Sequence, residues 1–197
     1  MKATPRPYVM KARADAAAAT RDAILDATRA MLLTHSFDDI TLDAVAERAE
    51  TTGRTVLRLF AGKEGLLEEA LRTLGAVGRK PAAPGDVAAF LASMFDLYER
   101  IGDTVIRWLA DEVRLPAMRE RLAFGRAALR ADVAAAFAPH LGRRPVDERG
   151  RLHDALIVAC DVYTWKLLRR DFGLDTTAAL AVVRTLVDAL VREDENG

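Results

Sequence analysis

The stretch "TTGRTVLRLFAGKEGLL", residues 51–67, contains two short helix-like runs that meet at "FAGKE". The first run has about two turns, too few for a helix that is stable by itself in water. A helical wheel divides this run into an apolar arc and a polar arc. The apolar arc holds Val56, Leu57, Leu59 and Phe60, and the polar arc holds Arg54, Thr55 and Arg58. We therefore expect neighbouring helices to hold the run by its apolar arc while the polar arc stays outside.

A second apolar stripe lies just upstream, in a run for which Thr41 is the predicted N-cap. This stripe consists of Leu42, Val45, Ala46 and Ala49. The segment "AETT" joins it to the short helix, for which Thr52 is the predicted cap. Two short helices joined in this way form a helix-turn-helix, whose second helix enters the major groove of DNA.

Seven residues of this region are candidate DNA contacts: Thr41, Thr52, Gly53, Arg54, Thr55, Arg58 and Lys63. Arginine reads guanine or pairs with phosphate, and threonine contacts phosphate or a thymine methyl group. Gly53 leaves room for DNA to approach, and Lys63 adds a cation beside exposed helix N–H groups. Amphipathic helices with solvent-facing arginines are also common in proteins that bind no DNA, so these residues alone leave that interpretation open.

The order of these features resembles the N-terminal signature of the TetR family of transcriptional regulators. The resemblance covers residues 20–67 and rests on "ILDATRAML", "FDDITLDAVAERA" and "TTGRTVLRLFAGKEGLL". It implies a homodimeric regulator, a repressor that a small-molecule ligand releases from a palindromic operator. Glu50 and Thr51 depart from the family's usual Gly-Val, Leu57 from its tyrosine and Leu59 from a common histidine. The phosphate contact of that tyrosine therefore cannot be carried over, and Glu50 would be strained if its φ is positive.

The composition predicts an all-α protein, because alanine, leucine, arginine and acidic residues dominate the chain, and the apolar periodicity predicts about nine helices. The net charge is 0, so overall charge does not indicate a nucleic-acid partner. The single cysteine excludes an internal disulfide and a cysteine zinc cluster. No signal peptide or membrane-spanning run is visible, and we expect a cytoplasmic protein without a metal or cofactor.

The glycines and prolines of residues 75–86 mark a predicted domain boundary. We expect a flexible basic arm at residues 1–19, a helix-turn-helix domain at 20–75 whose first helix is capped by Thr20, and a ligand-sensing and dimerisation domain at 86–197. Within the last domain the apolar periodicity predicts helices at about 86–100, 103–112, 116–138, 148–171 and 175–192.

The last two predicted helices each carry an apolar stripe. The stripes are Leu152, Leu156, Ala159, Tyr163 and Leu167 in one helix and Leu180, Val183, Val187 and Leu190 in the other. Burial within one chain explains them as well as pairing with a second copy does. The resemblance implies the second arrangement, a homodimer through these two helices.

The same resemblance implies a ligand pocket among the helices of residues 86–170. Candidate lining residues are Met94, Phe95, Tyr98, Trp108, Met118, Phe124 and Cys160. No charged constellation accompanies them, which favours an apolar or aromatic effector. No nucleophile with a nearby base is visible, so we expect no enzyme. A helical small-molecule carrier or enzyme with a vestigial helix-turn-helix, and a protein-interaction module, remain alternatives.

Overall fold

The computed structural model describes residues 7–75 and 82–192, and within these ranges the chain is helical and contains no strand. The all-α prediction is confirmed. The first four helices are α1 (Pro7–Leu32), α2 (Leu42–Arg48), α3 (Gly53–Phe60) and α4 (Lys63–Thr73). The remaining ones are α5 (Val87–Asp111), α6 (Pro116–Ala136), α7 (Ala138–Arg143), α8 (Val146–Cys160), α9 (Val162–Lys166) and α10 (Thr176–Val191), with a π-helical turn at Leu167–Asp171. Among the described residues, no helix has the length and apolarity to span a bilayer.

The chain forms two compact units. Of the described residues, the first unit contains α1 to α4 together with residues 111–121, and the second contains residues 82–110 and 122–192. In the first unit, α1 packs on α2 and α4, and α3 packs on α2 and α4. In the second unit, α8 packs on α7, α9 and α10. The sequence carries no signal that residues 111–121 pack with the first unit, and the functional roles expected for the two domains stay predictions.

Helix α1 begins at Pro7, well before the predicted cap at Thr20. The Thr20 hydroxyl donates to the carbonyl of Ala16 at 2.9 Å, an i to i−4 bond typical of a helix interior. Four alanines precede Thr20, and alanine has the highest helix propensity. Residues 7–19 are therefore helical rather than a flexible arm, and the expectation for residues 1–6 lies outside the described residues.

Helix α5 runs without a break through Gly102, where two separate helices are predicted from the sequence. Gly102 is buried, and a Cβ at this position would overlap the six-membered ring of Trp165. The glycine therefore serves close packing of the indole against α5 and does not end the helix. The destabilisation by glycine inside a helix, about 1 kcal/mol, is small compared with the burial of a tryptophan.

The predicted single helix at 148–171 is divided at Asp161. Its backbone is extended, with ψ of 157°, and its carboxylate accepts a hydrogen bond from the Tyr163 N–H at 2.9 Å. Asp161 thus ends α8 and caps α9, a role that aspartate fills well because its side chain satisfies a free N–H group. The apolar periodicity continues through this interruption, which explains why a continuous helix is predicted from the sequence.

Glu99 of α5 links the buried Trp165 to the π-helical turn. It accepts hydrogen bonds from the Trp165 indole N–H at 2.9 Å and from Arg169 Nε at 2.6 Å. The hydrogen bonds from Arg169 hold the pKa of Glu99 below its ordinary value, against a smaller opposing effect of burial. The adjacent Arg170 binds Asp103 through two nitrogens at 2.8 and 2.9 Å and lies over the Trp165 ring.

We expect this network to make the stability of the second unit depend on pH in the acid range. A carboxylate with a lowered folded-state pKa stabilises the fold above its ordinary pKa of 4.5, and this stabilisation is lost as the pH falls below that value. Glu99→Gln should lower the thermal unfolding midpoint near neutral pH and flatten its pH dependence between about pH 3 and 5. The matched change at the exposed Asp188, Asp188→Asn, should retain the wild-type profile. If the unfolding midpoints of wild type and Glu99→Gln depend on pH in the same way, Glu99 does not have this stabilising role.

Candidate nucleic-acid interface

The position of α3 is set by two side chains on its inner face. Val56 and Phe60 are buried in the core of the first unit, which also contains Val45 of α2 and Leu66 and Leu67 of α4. An eight-residue helix has little stability of its own, so this packing keeps it folded. The burial contributes about 1.5–3 kcal/mol for each of the two side chains.

The helix caps predicted at Thr41 and Thr52 are present. The Thr41 hydroxyl oxygen accepts from the Ala44 N–H at 3.1 Å, and that of Thr52 accepts from the Thr55 N–H at 3.2 Å. The hydroxyls of Thr52 and Thr55 are also 3.0 Å apart. These threonines therefore fix the starts of α2 and α3, and Thr41 and Thr52 remain exposed at the two helix ends.

The outer face of α3 differs from the one expected on the helical wheel. Arg54, Leu57, Arg58 and Ala61 are exposed at positions i, i+3, i+4 and i+7, and together they form the outward stripe. Leu57 is 52% exposed, so its expected place on the inner arc is wrong. Thr55 is half-buried beside Thr52 instead of fully outside. Leu57 lies at the edge of the apolar arc, where a wheel alone cannot decide which side packs.

Gly53 serves a different purpose from the one expected. A Cβ at this position would collide with the Asp43 carboxylate of α2, so the glycine makes room for that side chain. A carboxylate beside the first turn of a helix interacts favourably with the positive end of the helix dipole. The carboxylate of Asp43 therefore occupies the space beside Gly53, whose expected contact with DNA stays a prediction.

Lys63 is engaged within the first unit. Its Nζ lies 4.4 Å from the centre of the Phe37 ring and donates to the Asp38 carbonyl at 3.4 Å. The Arg114 guanidinium lies 3.8 Å from the centre of the same ring and binds the Asp38 carboxylate at 2.6 and 3.0 Å. These hydrogen bonds lower the pKa of Asp38 and raise the pKa of Arg114. The Phe37 ring thus has two cations within cation–π distance, and Lys63 is half-buried.

The turn between α2 and α3 contains a non-glycine residue with positive φ. Glu50 has φ of 51°, in the left-handed region, directly after the C-cap residue of α2. The Thr51 N–H donates to the Ala46 carbonyl at 2.9 Å, which completes a Schellman motif. Glycine is the usual residue at this position because it has no Cβ to clash. The strain expected from the departure at Glu50 is therefore real.

Four of the seven candidate ligand residues lie together in the second unit. Met94, Phe95, Tyr98 and Cys160 belong to one buried cluster of the second unit, where the Tyr98 hydroxyl donates to the Cys160 carbonyl at 3.2 Å. The other three candidates, Trp108, Met118 and Phe124, are placed differently. Trp108 is also buried, Met118 is buried within residues 111–121 of the first unit, and Phe124 is 72% exposed. Among the described residues, no group of three histidine, cysteine or acidic side chains is arranged to hold a metal ion.

Comparison with known proteins connects this geometry to a family. Residues 24–70 match the family model of bacterial regulatory proteins, tetR family. A solved structure of a proposed transcriptional regulator from Pseudomonas aeruginosa PAO1 is 19% identical, with a TM-score of 0.57 over 87% of this chain and 89% of that one. At this identity the likeness establishes the fold alone. No curated protein sequence matches the chain.

The turn at Glu50 gives a test of the local geometry. Glu50→Gly should stabilise the first unit by about 1 kcal/mol, because glycine adopts positive φ without steric strain. The same change at Glu47, an exposed residue within α2, should instead destabilise it by about 1 kcal/mol. Chemical denaturation of the two variants measures both effects. A loss of stability in Glu50→Gly would contradict the left-handed conformation of residue 50.

Proposed function

We propose that this chain, which belongs to the tetR family of bacterial regulatory proteins and is a DNA-binding transcriptional regulator, acts as a repressor that a small-molecule ligand releases from a palindromic operator. The observation that carries the proposal is the outward stripe of α3, where two exposed arginines stand on a helix that is held from behind by buried Val56 and Phe60. The family match supports it because residues 24–70 include the whole of α2 and α3.

Arg54 and Arg58 are one helical turn apart on the same side of α3, so both can enter one major groove. A guanidinium there donates to guanine O6 and N7 or to phosphate. Thr41, whose oxygen already accepts the cap bond, still has a hydroxyl hydrogen to offer a phosphate. We propose only supporting roles in DNA binding for Lys63, Thr52, Thr55 and Gly53, because the contacts described above for them lie within the first unit.

A homodimer would place two recognition helices about 34 Å apart on one DNA face. The second unit offers exposed apolar side chains for such pairing: Val158, Tyr163, Val182 and Leu186 on α8, α9 and α10. Leu152, Leu156, Ala159, Val183 and Val187 from the predicted stripes are buried within the chain. The proposed interface therefore uses the exposed set, while the buried set forms the core of the protomer.

The effector in this proposal binds among the apolar side chains around Met94, Phe95 and Tyr98, and their chemistry suits an apolar or aromatic molecule. Such a ligand releases the operator only if it binds the DNA-free arrangement more tightly than the DNA-bound one. A regulator of this kind acts in the cytoplasm and needs no catalytic residue, metal or cofactor.

The DNA contact is tested by Arg54→Ala and Arg58→Ala. Each substitution should lower the affinity for the selected operator by about 1–3 kcal/mol if the arginine reads guanine. If the arginine binds phosphate instead, the slope of log affinity against log salt should decrease in magnitude by about 1 for each arginine removed. Fluorescence anisotropy at several salt concentrations separates the two cases.

Arg72→Ala is the matched control, since Arg72 is an exposed arginine of the same unit that pairs with Glu68. Its affinity and salt slope should equal those of the wild type. The proposal fails if both α3 variants bind DNA as the wild type does while all proteins remain folded.

The dimer is tested by a charge on the exposed apolar surface. Val158 is 67% exposed, so Val158→Asp should leave the fold of the protomer intact yet weaken self-association at least about tenfold, because pairing would bury an uncompensated carboxylate. Analytical ultracentrifugation measures the dissociation constant, and circular dichroism checks the fold. Val113→Asp, at an exposed valine of the first unit, should dimerise normally. An unchanged dimer in Val158→Asp would exclude this surface.

A further inference from the structure

Leu57 is an apolar side chain in the middle of a charged surface. It lies three residues after Arg54 and one before Arg58, on the outward stripe of α3, and is 52% exposed. The inner residues Val56 and Phe60 are 0% and 5% exposed, so the core of the unit is closed without it. Surface leucines that stand alone are ordinary, but this one occupies the part of α3 that the proposed function places against DNA.

We propose that Leu57 contacts the 5-methyl group of a thymine in each operator half-site and so determines specificity at that base pair. The proposal rests on the proposed function, since it requires the outward stripe of α3 to enter the major groove. It assigns Leu57 a role as a base-reading residue, beside the charged contacts of its two arginine neighbours.

The chemistry of the major groove selects this partner. Base edges there present hydrogen-bond donors and acceptors, and the thymine methyl is the apolar group among them. A leucine side chain neither donates nor accepts a hydrogen bond, so it gains nothing from a phosphate oxygen and would remove water from it. Contact with a methyl group instead buries apolar surface on both sides. The flanking guanidinium groups supply the attraction to the anionic duplex that Leu57 lacks.

The position of Leu57 on the helix agrees with this role. It shares one face with Arg54 and Arg58 at i−3 and i+1, so a base pair contacted by Leu57 adjoins those within reach of the two arginines. The resemblance to the TetR signature places a tyrosine at this position, where a hydroxyl could reach phosphate. Replacement by leucine removes that hydroxyl and leaves an apolar group, which changes the kind of contact that the position can make.

The experiment starts with a duplex selected by the full-length wild-type protein from a random-sequence DNA pool. Each thymine of a half-site is then replaced by deoxyuridine, which lacks the 5-methyl group and keeps every hydrogen-bonding group. At one position we expect the wild-type affinity to fall about fourfold, the effect of one buried methyl group. Replacing the symmetry-related thymines of both half-sites together should lower it about 15-fold.

Two variants assign that effect to the side chain. Leu57→Ala should bind the thymine and deoxyuridine duplexes equally, because it cannot reach the methyl group, whereas Leu57→Met should keep the preference. Val113→Ala removes a comparable exposed apolar side chain elsewhere in the first unit and should keep the full thymine preference. Since Leu57 is half exposed, thermal unfolding of Leu57→Ala should show a folded protein.

The possible results separate this inference from the proposed function. If no duplex is selected above random DNA, both are wrong. If a duplex is selected and the wild type is indifferent to deoxyuridine at every position, or if Leu57→Ala keeps the thymine preference, the inference alone is overturned. A uniform loss of affinity in Leu57→Ala without any thymine preference in the wild type would place Leu57 against the sugar-phosphate backbone and would likewise overturn it.

Discussion

The position of α3 depends on one interaction, the burial of Val56 and Phe60 in the core of the first unit. A helix of eight residues does not persist in water by its own hydrogen bonds, so its shape comes from these two side chains and from the Thr52 cap. With the inner face fixed, the opposite face takes no part in packing. Arg54, Leu57 and Arg58 on that face are therefore exposed.

The same unit accepts local strain and crowding around α3. Glu50 occupies a left-handed position before it, and Ala61 occupies another after it, with φ of 51° and 56°. Asp43 fills the space beside Gly53. Lys63 and Arg114 both contact the ring of Phe37, so the start of α4 and the segment after α5 meet at one aromatic side chain of the chain after α1. Short turns and shared contacts of this kind let a small unit hold a helix at a defined angle.

Much of this arrangement follows from local sequence physics. Thr41 and Thr52 are predictable as caps because their hydroxyls meet free N–H groups at short range, and the apolar periodicity correctly gives a helical fold and the pair α2 and α3.

Long-range packing explains the errors in the sequence-based predictions. Gly102 looks like a helix end until Trp165 lies against it, and Asp161 divides a periodic run by capping α9. Leu57 lies on the boundary of two arcs, and only the neighbours of α3 decide its exposure. The pairing of Phe37 with Arg114, distant in the chain, leaves no local signal at all.

The grouping of residues 111–121 with α1 to α4 has a practical meaning for anyone who divides this protein. A fragment that stops at Gly75 would lack Leu115 and Met118, which are buried, and Arg114, which covers Phe37 and binds Asp38. Its exposed apolar patch would invite aggregation, and its DNA affinity would then be that of an incomplete fold. The smallest fragment that preserves the fold around α3 therefore has to include residues 111–121 as well as α1 to α4.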